Sequence, residues 1–596
     1  MCPLAAGGKM DFIKPFNRDF YSESDEFTYI GDGRLGGKAR GLSFIKEKIV
    51  SHFGEWRSGG SGGSPIIVEI PRLTVITTQF FDRFMEQNNL YEIAFSDQSD
   101  ERIAHHFIKA ELPPDLIGDL RALIAKVHLP LAVRSSSLLE DSLESPFAGI
   151  YETKMIPNNQ ADIDIRFRKL TEAIKFVYAS TFFSGAKSYI KTTPHKIEAE
   201  KMAVIIQEVV GLRHQDRFYP NISGVGRSYN FYPTGHAGPE DGVVNLALGL
   251  GKTIVGGGAV WTYSPEYPDI APPYNSIKDL LKQTQIDFWA VNMGKPPAYD
   301  PCKETEYLVK ASLKEAEYDN TLIYIASTYN HESDRIDIGA GFPGPRIINF
   351  APLLQVELLP VNRLIKSVLE ICETTFKTDV EIEFALTIDS AKKQPTRFGL
   401  LQVRPMAVSC EMIDLDEDNL TGAPGTVLAA SDNVMGNGSV ENIKDILYVA
   451  PETFALKDSR VIAQEISTFN RRLVDAGKPY LLIGFGRWGT SDPWLGIPVD
   501  WGQISGARVI IESQLPEAHG SGGSIDLSQG SHFFHNISNL GVLYFSLPKN
   551  GKFPLDWQWI NEQELLHRGN YTRHVQLKSP LMVKVDGRKR KGVIFK

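Results

Sequence analysis

The stretch from Leu131 to Thr153, LAVRSSSLLEDSLESPFAGIYET, constrains this chain more than any other. It opens on an apolar run that carries Arg134 and continues into three serines, Ser135 to Ser137, and an acidic pair. The pattern predicts a strand that leads into a hydroxyl-rich turn, with the cationic side chain of Arg134 directly before the turn. Such a turn supplies N–H and O–H donors to an anion, and a guanidinium adds a planar, bidentate pair of hydrogen bonds. A serine-rich turn that caps a helix is the alternative.

Two further segments of the chain are rich in glycine and predict turns. Leu35 to Leu42 places two glycines ahead of Lys38, where we expect a helix to begin. Helix N-termini attract phosphate because their N–H groups are free to donate and because the positive end of the helix dipole lies there. A glycine turn before an amphipathic helix is the simpler interpretation of this segment alone. Ala247 to Val260, ALGLGKTIVGGGAV, predicts a glycine-rich turn after a strand.

Two alternating segments, EIEF from Glu381 and LLQVRPM from Leu400, predict the two strands of a β-hairpin. A period of two places Glu381 and Glu383 on one face. A carboxylate and the amide of Gln402 on neighbouring strands suit Mg²⁺, which prefers oxygen ligands and often takes phosphates and waters as well. Arg404 could then neutralise charge on a transferring phosphoryl group. A surface hairpin with paired charges is the alternative.

In this order, from about Asp32 to Met406, the four segments resemble the ATP-binding domain of the phosphoenolpyruvate synthase and pyruvate phosphate dikinase family. The resemblance implies an α+β fold, a two-lobed ATP-grasp domain with the nucleotide between its lobes, followed by a smaller α/β domain. The implied parts are an N-terminal extension, a first lobe, a second lobe and a C-terminal domain, at residues 1–27, 28–233, 234–410 and 411–596.

The resemblance also implies the site. Its nucleotide contacts would be Lys38, Arg134, Ser135, Gln207, Glu208, Gly249, Gly251 and Gln402. The Mg²⁺ ligands would be Glu383 and Gln402, and the catalytic side chains Arg134, Arg404 and His532. Gln207 and Glu208 end a predicted buried strand whose edge faces the adenine in this family, although a strand-end side chain in solvent is the alternative. Lys252 stands where the family usually has an acid, which leaves the role of that position open.

The C-terminal region predicts an α/β domain, and one part of it resembles the swivelling phosphohistidine domain of the dikinases. Ser531 and His532 would begin a helix, with Leu540 and Gly541 at the family's spacing after the histidine. A neutral imidazole is a good phosphoryl acceptor, and a helix N-terminus stabilises the phosphorylated form. Bulky phenylalanines replace the family's small residues directly after the histidine. A histidine packed in a core is therefore the alternative.

Composition excludes several classes of function. The net charge of −9 argues against nonspecific nucleic-acid binding and against binding to acidic membranes. The four cysteines show neither metal-binding nor redox spacing and fit a reducing compartment. We find no secretory leader and no apolar run of transmembrane length, so we expect a cytoplasmic protein. The length of 596 residues allows about three or four domains.

Two short segments, SGGSGGS at residues 58–64 and GSGGS at 520–524, have the composition of flexible linkers. We interpret them as replacements for excised loops, with natural glycine-serine loops as the alternative. The first nine residues, which precede Met10, also look like an addition rather than part of the fold.

The predicted function is ATP-dependent phosphotransfer to an acceptor that the sequence does not identify. The two candidates are His532 and a partner protein that carries the acceptor. Too few residues follow Gly541 for the (β/α)₈ barrel that binds pyruvate in the dikinases. We therefore expect that this chain alone does not make phosphoenolpyruvate. The rival hypothesis is a regulatory or assembly module that senses ATP without turning it over.

Overall fold

The computed structural model describes most of the chain. The described residues are 13–19, 26–53, 66–138, 140, 149–191, 195–230, 233, 237–272, 276–277, 280–281, 284–389, 394–406, 413, 415, 425–490, 496–499, 501–513, 542–547, 554–587 and 589–596. Both glycine-serine segments and the whole of residues 514–541, which include His532, lie outside the described residues.

The fold mixes helices and sheets, with 31% of residues helical and 33% in strands, which confirms the α+β prediction. The chain forms two compact units whose boundaries fall at residues 186/187, 196/197 and 406/407. The first unit takes in residues 197–406 and the chain before 187, and the second takes in 187–196 and the chain after 406. The lobe boundary near residue 233 lies inside the first unit and stays a proposal.

The helices, numbered in chain order, are α1 Gly37–Phe53, α2 Thr78–Gln87, α3 Tyr91–Phe95, α4 Asp100–Lys109, α5 Pro114–Lys126, α6 Ile163–Ser180, α7 Ser184–Ile190, α8 Lys252–Val255, α9 Leu313–Tyr318, α10 Ala351–Leu354, α11 Val361–Phe376, α12 Ser459–Asp475 and α13 Trp557–Asn561.

The strands up to residue 405 are β1 Lys14–Pro15, β2 Phe27–Ile30, β3 Ile66–Glu69, β4 Leu73–Ile76, β5 Leu131–Ser137, β6 Thr153–Ile156, β7 Met202–Glu208, β8 Leu212–His214, β9 Arg217–Tyr219, β10 Ile222–Arg227, β11 Val243–Ala247, β12 Trp261–Tyr263, β13 Asp287–Asn292, β14 Leu308–Ser312, β15 Ala326–Asn330, β16 Arg335–Ile338, β17 Arg346–Ile348, β18 Val380–Thr387 and β19 Thr396–Pro405. The later strands are β20 Val427–Ser431, β21 Val434–Met435, β22 Gly438–Val449, β23 Tyr480–Phe485, β24 Arg487–Trp488, β25 Gly496–Ile497, β26 Ala507–Ser513, β27 Leu543–Leu547, β28 Glu564–Arg568, β29 Thr572–Asp586 and β30 Lys591–Phe595.

A first sheet, in the order β1-β2-β4-β7-β5-β6, carries the strand predicted from the serine-rich segment. β5 pairs antiparallel with β7, and Ala132 lies opposite Gln207 while Ser137 lies opposite Met202. The residues of β7 from Met202 to Gln207 are buried, which explains their near-continuous apolar run. This pairing places the end of the serine-rich strand at the start of β7.

A second sheet, in the order β12-β11-β10-β18-β19-β3, carries the predicted hairpin. β18 and β19 pair antiparallel, with Glu381 opposite Arg404 and Glu383 opposite Gln402. A register shift follows directly after Glu383. The hairpin prediction is therefore confirmed. β3 also joins this sheet, parallel to β19, whereas its neighbour in the chain, β4, lies in the first sheet.

The N-terminal helix α1 and the second sheet share one core. Leu42, Ile45 and Ile49 of α1 are buried in the same cluster as Leu400 and Val403 of β19. At roughly 25 cal/mol per Å² of apolar surface, burying each of these side chains stabilises the fold by about 1.5–3 kcal/mol. The packing fixes the first turn of α1, where Lys38 lies, against the strands of the site.

The second unit is built on a sheet in the order β20-β30-β29-β22-β23-β26-β27-β21, with β28 paired to β29. β22, β23, β26 and β27 run parallel, as the alternation of strands with α12 requires. The parallel strands β23 and β26 and the amphipathic helix α12 agree with the α/β domain predicted for the C-terminal region. No helix among the described residues is long and apolar enough to cross a membrane.

Candidate functional site

Arg134 is the residue that connects the two sheets. Its Nη2 donates to Glu383 Oε2 at 2.6 Å and to Gln402 Oε1 at 3.0 Å. Its Nη1 donates to the backbone oxygen of Leu401 at 3.0 Å and to Gln207 Oε1 at 3.4 Å. One guanidinium therefore gathers three of the side chains that the sequence predicted for the site, from strands β7, β18 and β19.

Lys38 approaches the same strand from the first turn of α1. Its ammonium donates to Ser135 Oγ at 2.9 Å and to Glu140 Oε1 at 2.6 Å. Gly36 allows this approach because its φ is +74° and an added Cβ would lie 1.6 Å from the backbone oxygen of Ser136. Only glycine fits at that position. The predicted pairing of a glycine turn with a lysine at a helix start is thus confirmed.

A carboxylate inside the serine turn was not predicted as a site residue. Glu140 Oε1 accepts from Ser135 Oγ at 2.8 Å, and Glu140 Oε2 accepts from the backbone N–H of Ser137 at 2.8 Å. The backbone N–H of Glu140 donates back to Ser137 Oγ at 3.2 Å. This reciprocal pattern over S-x-x-E is the capping-box signature, and that spacing was the signal available in the sequence.

Gln207 lies at the end of β7 and is only 2% exposed. Its Oε1 accepts from Arg134, but its Nε2 has no hydrogen-bond partner among the described residues. A buried amide donor without a partner costs free energy unless a ligand satisfies it. Glu208, the next residue, pairs with Arg72 at 3.5 Å.

Arg404 and Glu381 form a second charged group on the hairpin. Arg404 Nε and Nη2 lie 2.8 and 2.6 Å from Glu381 Oε1. Arg227 Nε, from the neighbouring strand β10, donates to Glu381 Oε2 at 2.7 Å. Glu381, whose side chain is 6% exposed, thus holds two guanidinium groups and fixes the orientation of Arg404.

The glycine-rich segment forms a tight turn into the short helix α8. Gly249 has a φ of +83°, and an added Cβ would lie 2.7 Å from the backbone oxygen of Trp289. Gly251 immediately precedes α8 and needs no unusual backbone angle. Lys252 forms an ion pair with Glu304, so its charge is already balanced.

An acid lies near that ion pair. Burial and the charge of Glu304 raise the pKa of Glu152 to about 7, and the charge of Lys252 partly offsets the rise. The hydroxyl of Thr253, in the first turn of α8, is buried and has no partner among the described residues. Sequence reasoning missed both side chains, because neither lies in a recognisable spacing.

The proposed Mg²⁺ ligands are compatible with that ion. Glu383 and Gln402 lie opposite each other in the hairpin, and both already direct an oxygen at the same guanidinium nitrogen of Arg134. Among the described residues no group of three or more acidic, histidine or cysteine side chains could hold a metal. Two oxygen ligands fit a Mg²⁺ that takes its remaining ligands from phosphates and water.

A model of the protein family described as "Pyruvate phosphate dikinase, AMP/ATP-binding domain" matches residues 32–418, well over half of the chain. The chain belongs to this family. The predicted resemblance is therefore confirmed, and every site residue described above lies inside the matched range. The remaining candidate, His532, lies outside both the matched range and the described residues.

Two curated relatives of this dikinase-family chain are similar over part of their length. The phosphoenolpyruvate synthase of Aeropyrum pernix is 27% identical over 245 residues, which is 37% of this chain and 25% of that protein. The uncharacterized phosphotransferase YvkC of Bacillus subtilis is 27% identical over 191 residues, 32% of this chain and 20% of that protein. The chain thus matches about a quarter or less of each relative. At the level of the family, these similarities support ATP-dependent phosphotransfer.

Proposed function

We propose that this chain binds ATP with Mg²⁺ between the two lobes of an ATP-grasp domain, at residues 28–233 and 234–410, and transfers a phosphoryl group. The observation that carries the proposal is the set of contacts made by Arg134. That side chain joins the serine turn on one sheet to Glu383 and Gln402 on the other. The residues proposed as a phosphate clamp and those proposed as oxygen ligands of a divalent cation therefore lie together.

The residues of the first sheet would hold the phosphates. Lys38 and Arg134 supply positive charge, and Ser135 adds a hydroxyl between them. Before a ligand binds, the charge of Glu383 is neutralised by Arg134. With Mg²⁺ bound, Glu383 and Gln402 would turn to the metal, and the guanidinium would be released to the phosphate oxygens. A bound Mg²⁺ would supply positive charge that neutralises the phosphates.

The base and the glycine-rich turn complete the proposed nucleotide site. The free Nε2 of Gln207 is a donor for a ring nitrogen of the base, and Glu208 offers an acceptor for an amino group. Gly249 and Gly251 leave the backbone open to close approach by a ligand. Arg404, held by Glu381, would stabilise the charge that develops on the transferred group.

The phosphoryl group has two candidate acceptors. One is His532, and the other is a residue carried by a partner protein. Product analysis separates the chemistries: after incubation with Mg·ATP, AMP indicates dikinase chemistry and ADP a simple kinase. Acid-labile, base-stable label from ATP that disappears in His532→Ala would assign the histidine. If that variant keeps its label, or the parent never takes label, His532 is a structural residue.

A second candidate function is ATP sensing without turnover. One observation favours it: each cation of the site already has a carboxylate partner. The pairs are Lys38–Glu140, Arg134–Glu383, Arg404–Glu381 and Lys252–Glu304. Each of these four cations is therefore neutralised before a nucleotide arrives, although Glu381 also pairs with Arg227. Saturable binding of Mg·ATP without AMP or ADP would support this function instead of phosphotransfer.

A further inference from the structure

Three donors converge on the carboxylate of Glu140. They are the ammonium of Lys38 at 2.6 Å, the hydroxyl of Ser135 at 2.8 Å and the backbone N–H of Ser137 at 2.8 Å. The side chain of Glu140 is only 3% exposed, so water does not compete for these contacts. Both oxygens accept, which an ionised carboxylate does and an amide cannot. An acid at this position therefore satisfies donors that the corresponding amide would leave without an acceptor.

The ammonium of Lys38 is held but not saturated. It has three N–H groups, and two of them point to Ser135 and Glu140. The third has no partner in the described part of the chain. The side chain of Lys38 is 13% exposed, so the ammonium is largely shielded from water. A lysine held by two acceptors in this way keeps one donor for a ligand.

A second buried acid nearby does not compete for Lys38. Glu200 is 3% exposed, and burial together with the charge of Glu140 raises its pKa to about 8. Neither of its oxygens has a hydrogen bond of good geometry with a described residue, although the polar groups of Ser137, Leu138 and Lys201 moderate the rise of the pKa. This raised pKa favours the protonated form of Glu200 at neutral pH. Glu140 is the carboxylate that faces the lysine.

We infer that Glu140 is a positioning residue: it holds the Lys38 ammonium in place for a phosphate oxygen of the nucleotide and stays bound to it in the complex. The inference rests on the proposed ATP site. Glu383 can exchange its guanidinium partner for Mg²⁺, whereas among the described residues Lys38 is the one cation paired with Glu140. Separating the pair would leave a buried carboxylate uncompensated, which is strongly unfavourable.

The test is a double-mutant cycle on Mg·ATP affinity, measured by titration calorimetry at pH 7. The four proteins are the parent, Lys38→Met, Glu140→Gln and the double variant. If Glu140 acts through Lys38, Glu140→Gln weakens the affinity of the parent for Mg·ATP by about ten-fold. The amide has only one acceptor oxygen, so it holds the Lys38 ammonium less firmly in place for the phosphate. In the Lys38→Met background the same substitution then has less than about a two-fold effect.

Two further variants separate positioning from folding. Glu140→Asp keeps the charge and should restore part of the affinity, and Glu317→Gln removes a surface ion pair with Arg346 and should leave affinity unchanged. Additive losses in the cycle would mean that Glu140 is merely structural. Tighter binding by Glu140→Gln would mean that the acid competes with phosphate. Either result overturns the inference while the ATP site stands. Absence of binding by the parent overturns both.

Discussion

Arg134 and Glu383 lie on different sheets and are joined by an ion pair of 2.6 Å between Nη2 and Oε2. The same nitrogen donates to Gln402, which lies opposite Glu383 in the hairpin. The proposed phosphate clamp and the proposed metal ligands are therefore one connected group before any ligand binds. In the proposed complex Glu383 turns to Mg²⁺ and releases the guanidinium, so the binding of the metal and of the phosphates would be coupled through this pair.

Replacing Arg134 by lysine tests how much this connection stabilises the first unit. A lysine keeps the charge but has a single nitrogen, so it cannot reach Glu383, Gln402 and the Leu401 carbonyl together. We expect Arg134→Lys to lower stability by roughly 1–3 kcal/mol, because buried acceptors lose their donors. Thermal unfolding without nucleotide measures the change. Arg397→Lys is the matched control, since its pair with Glu69 is exposed. An equal effect of both variants would contradict the special role of Arg134.

Arg404 should act on turnover more than on binding. Its two contacts with Glu381 aim the guanidinium at the hairpin face that carries Glu383. We expect Arg404→Ala to reduce kcat by about 10²–10³-fold, as is typical when a donor to developing charge is removed, while Mg·ATP affinity changes little. Steady-state kinetics beside calorimetry measure both quantities. Arg335→Ala, which removes an exposed pair with Asp337, is the control. Equal losses of kcat and affinity would make the role of Arg404 purely positional.

Gly36→Ala should disrupt the contact between α1 and the serine turn. The new Cβ would lie 1.6 Å from the backbone oxygen of Ser136, and the φ of +74° is strained for alanine. We expect a loss of more than about 2 kcal/mol of stability, together with weaker Mg·ATP binding through Lys38. Gly341→Ala is the control, because no atom lies within 4 Å of its added Cβ. If both glycines tolerate alanine equally, the close approach of α1 to β5 is wrong.

Glu200 should make stability depend on pH. Its pKa is about 8 in the folded chain against 4.5 for an ordinary glutamate, so between these values the folded state binds one more proton than the unfolded state. Stability must then fall as pH rises from 5 to 8, by at most about 1.4 kcal/mol per pH unit from this group. Glu200→Gln should flatten the dependence of Tm on pH in this window. Glu152 and Glu512, with pKa values raised to about 7, leave a residual slope. An unchanged slope in the variant would show that Glu200 is ionised.

Local patterns in the sequence predicted the parts of the site that depend on one element. Alternation predicted the hairpin whose two strands carry Glu383 and Gln402, and the structure places these residues opposite each other. The glycine turn predicted a helix start at Lys38, which lies in the first turn of α1. Contacts between elements were not predictable in the same way. The ion pair of Arg134 with Glu383 spans 249 positions, and no local spacing encodes it.

Local sequence patterns also could not predict which sheet each strand joins. The apolar segment from residue 66 to 77 looks like two neighbouring strands, yet β3 joins the second sheet and β4 the first. A turn of only a few residues separates them, and long-range pairing decides where each strand goes. Glu140 was missed for another reason. Its S-x-x-E spacing is visible, but the capping pattern alone does not show that the carboxylate also binds Lys38.

The proposed nucleotide site is tested most directly by a calorimetric titration of the parent chain with ATP, with and without Mg²⁺, beside the variants Arg134→Met and Glu383→Gln. A nucleotide site of this kind predicts saturable binding by the parent and a rise in Tm with ATP concentration, as mass action requires. It also predicts that Arg134→Met binds weakly with or without the metal, and that Glu383→Gln loses mainly the gain due to Mg²⁺. No heat and no thermal shift with the parent at saturating Mg·ATP would contradict the nucleotide site itself.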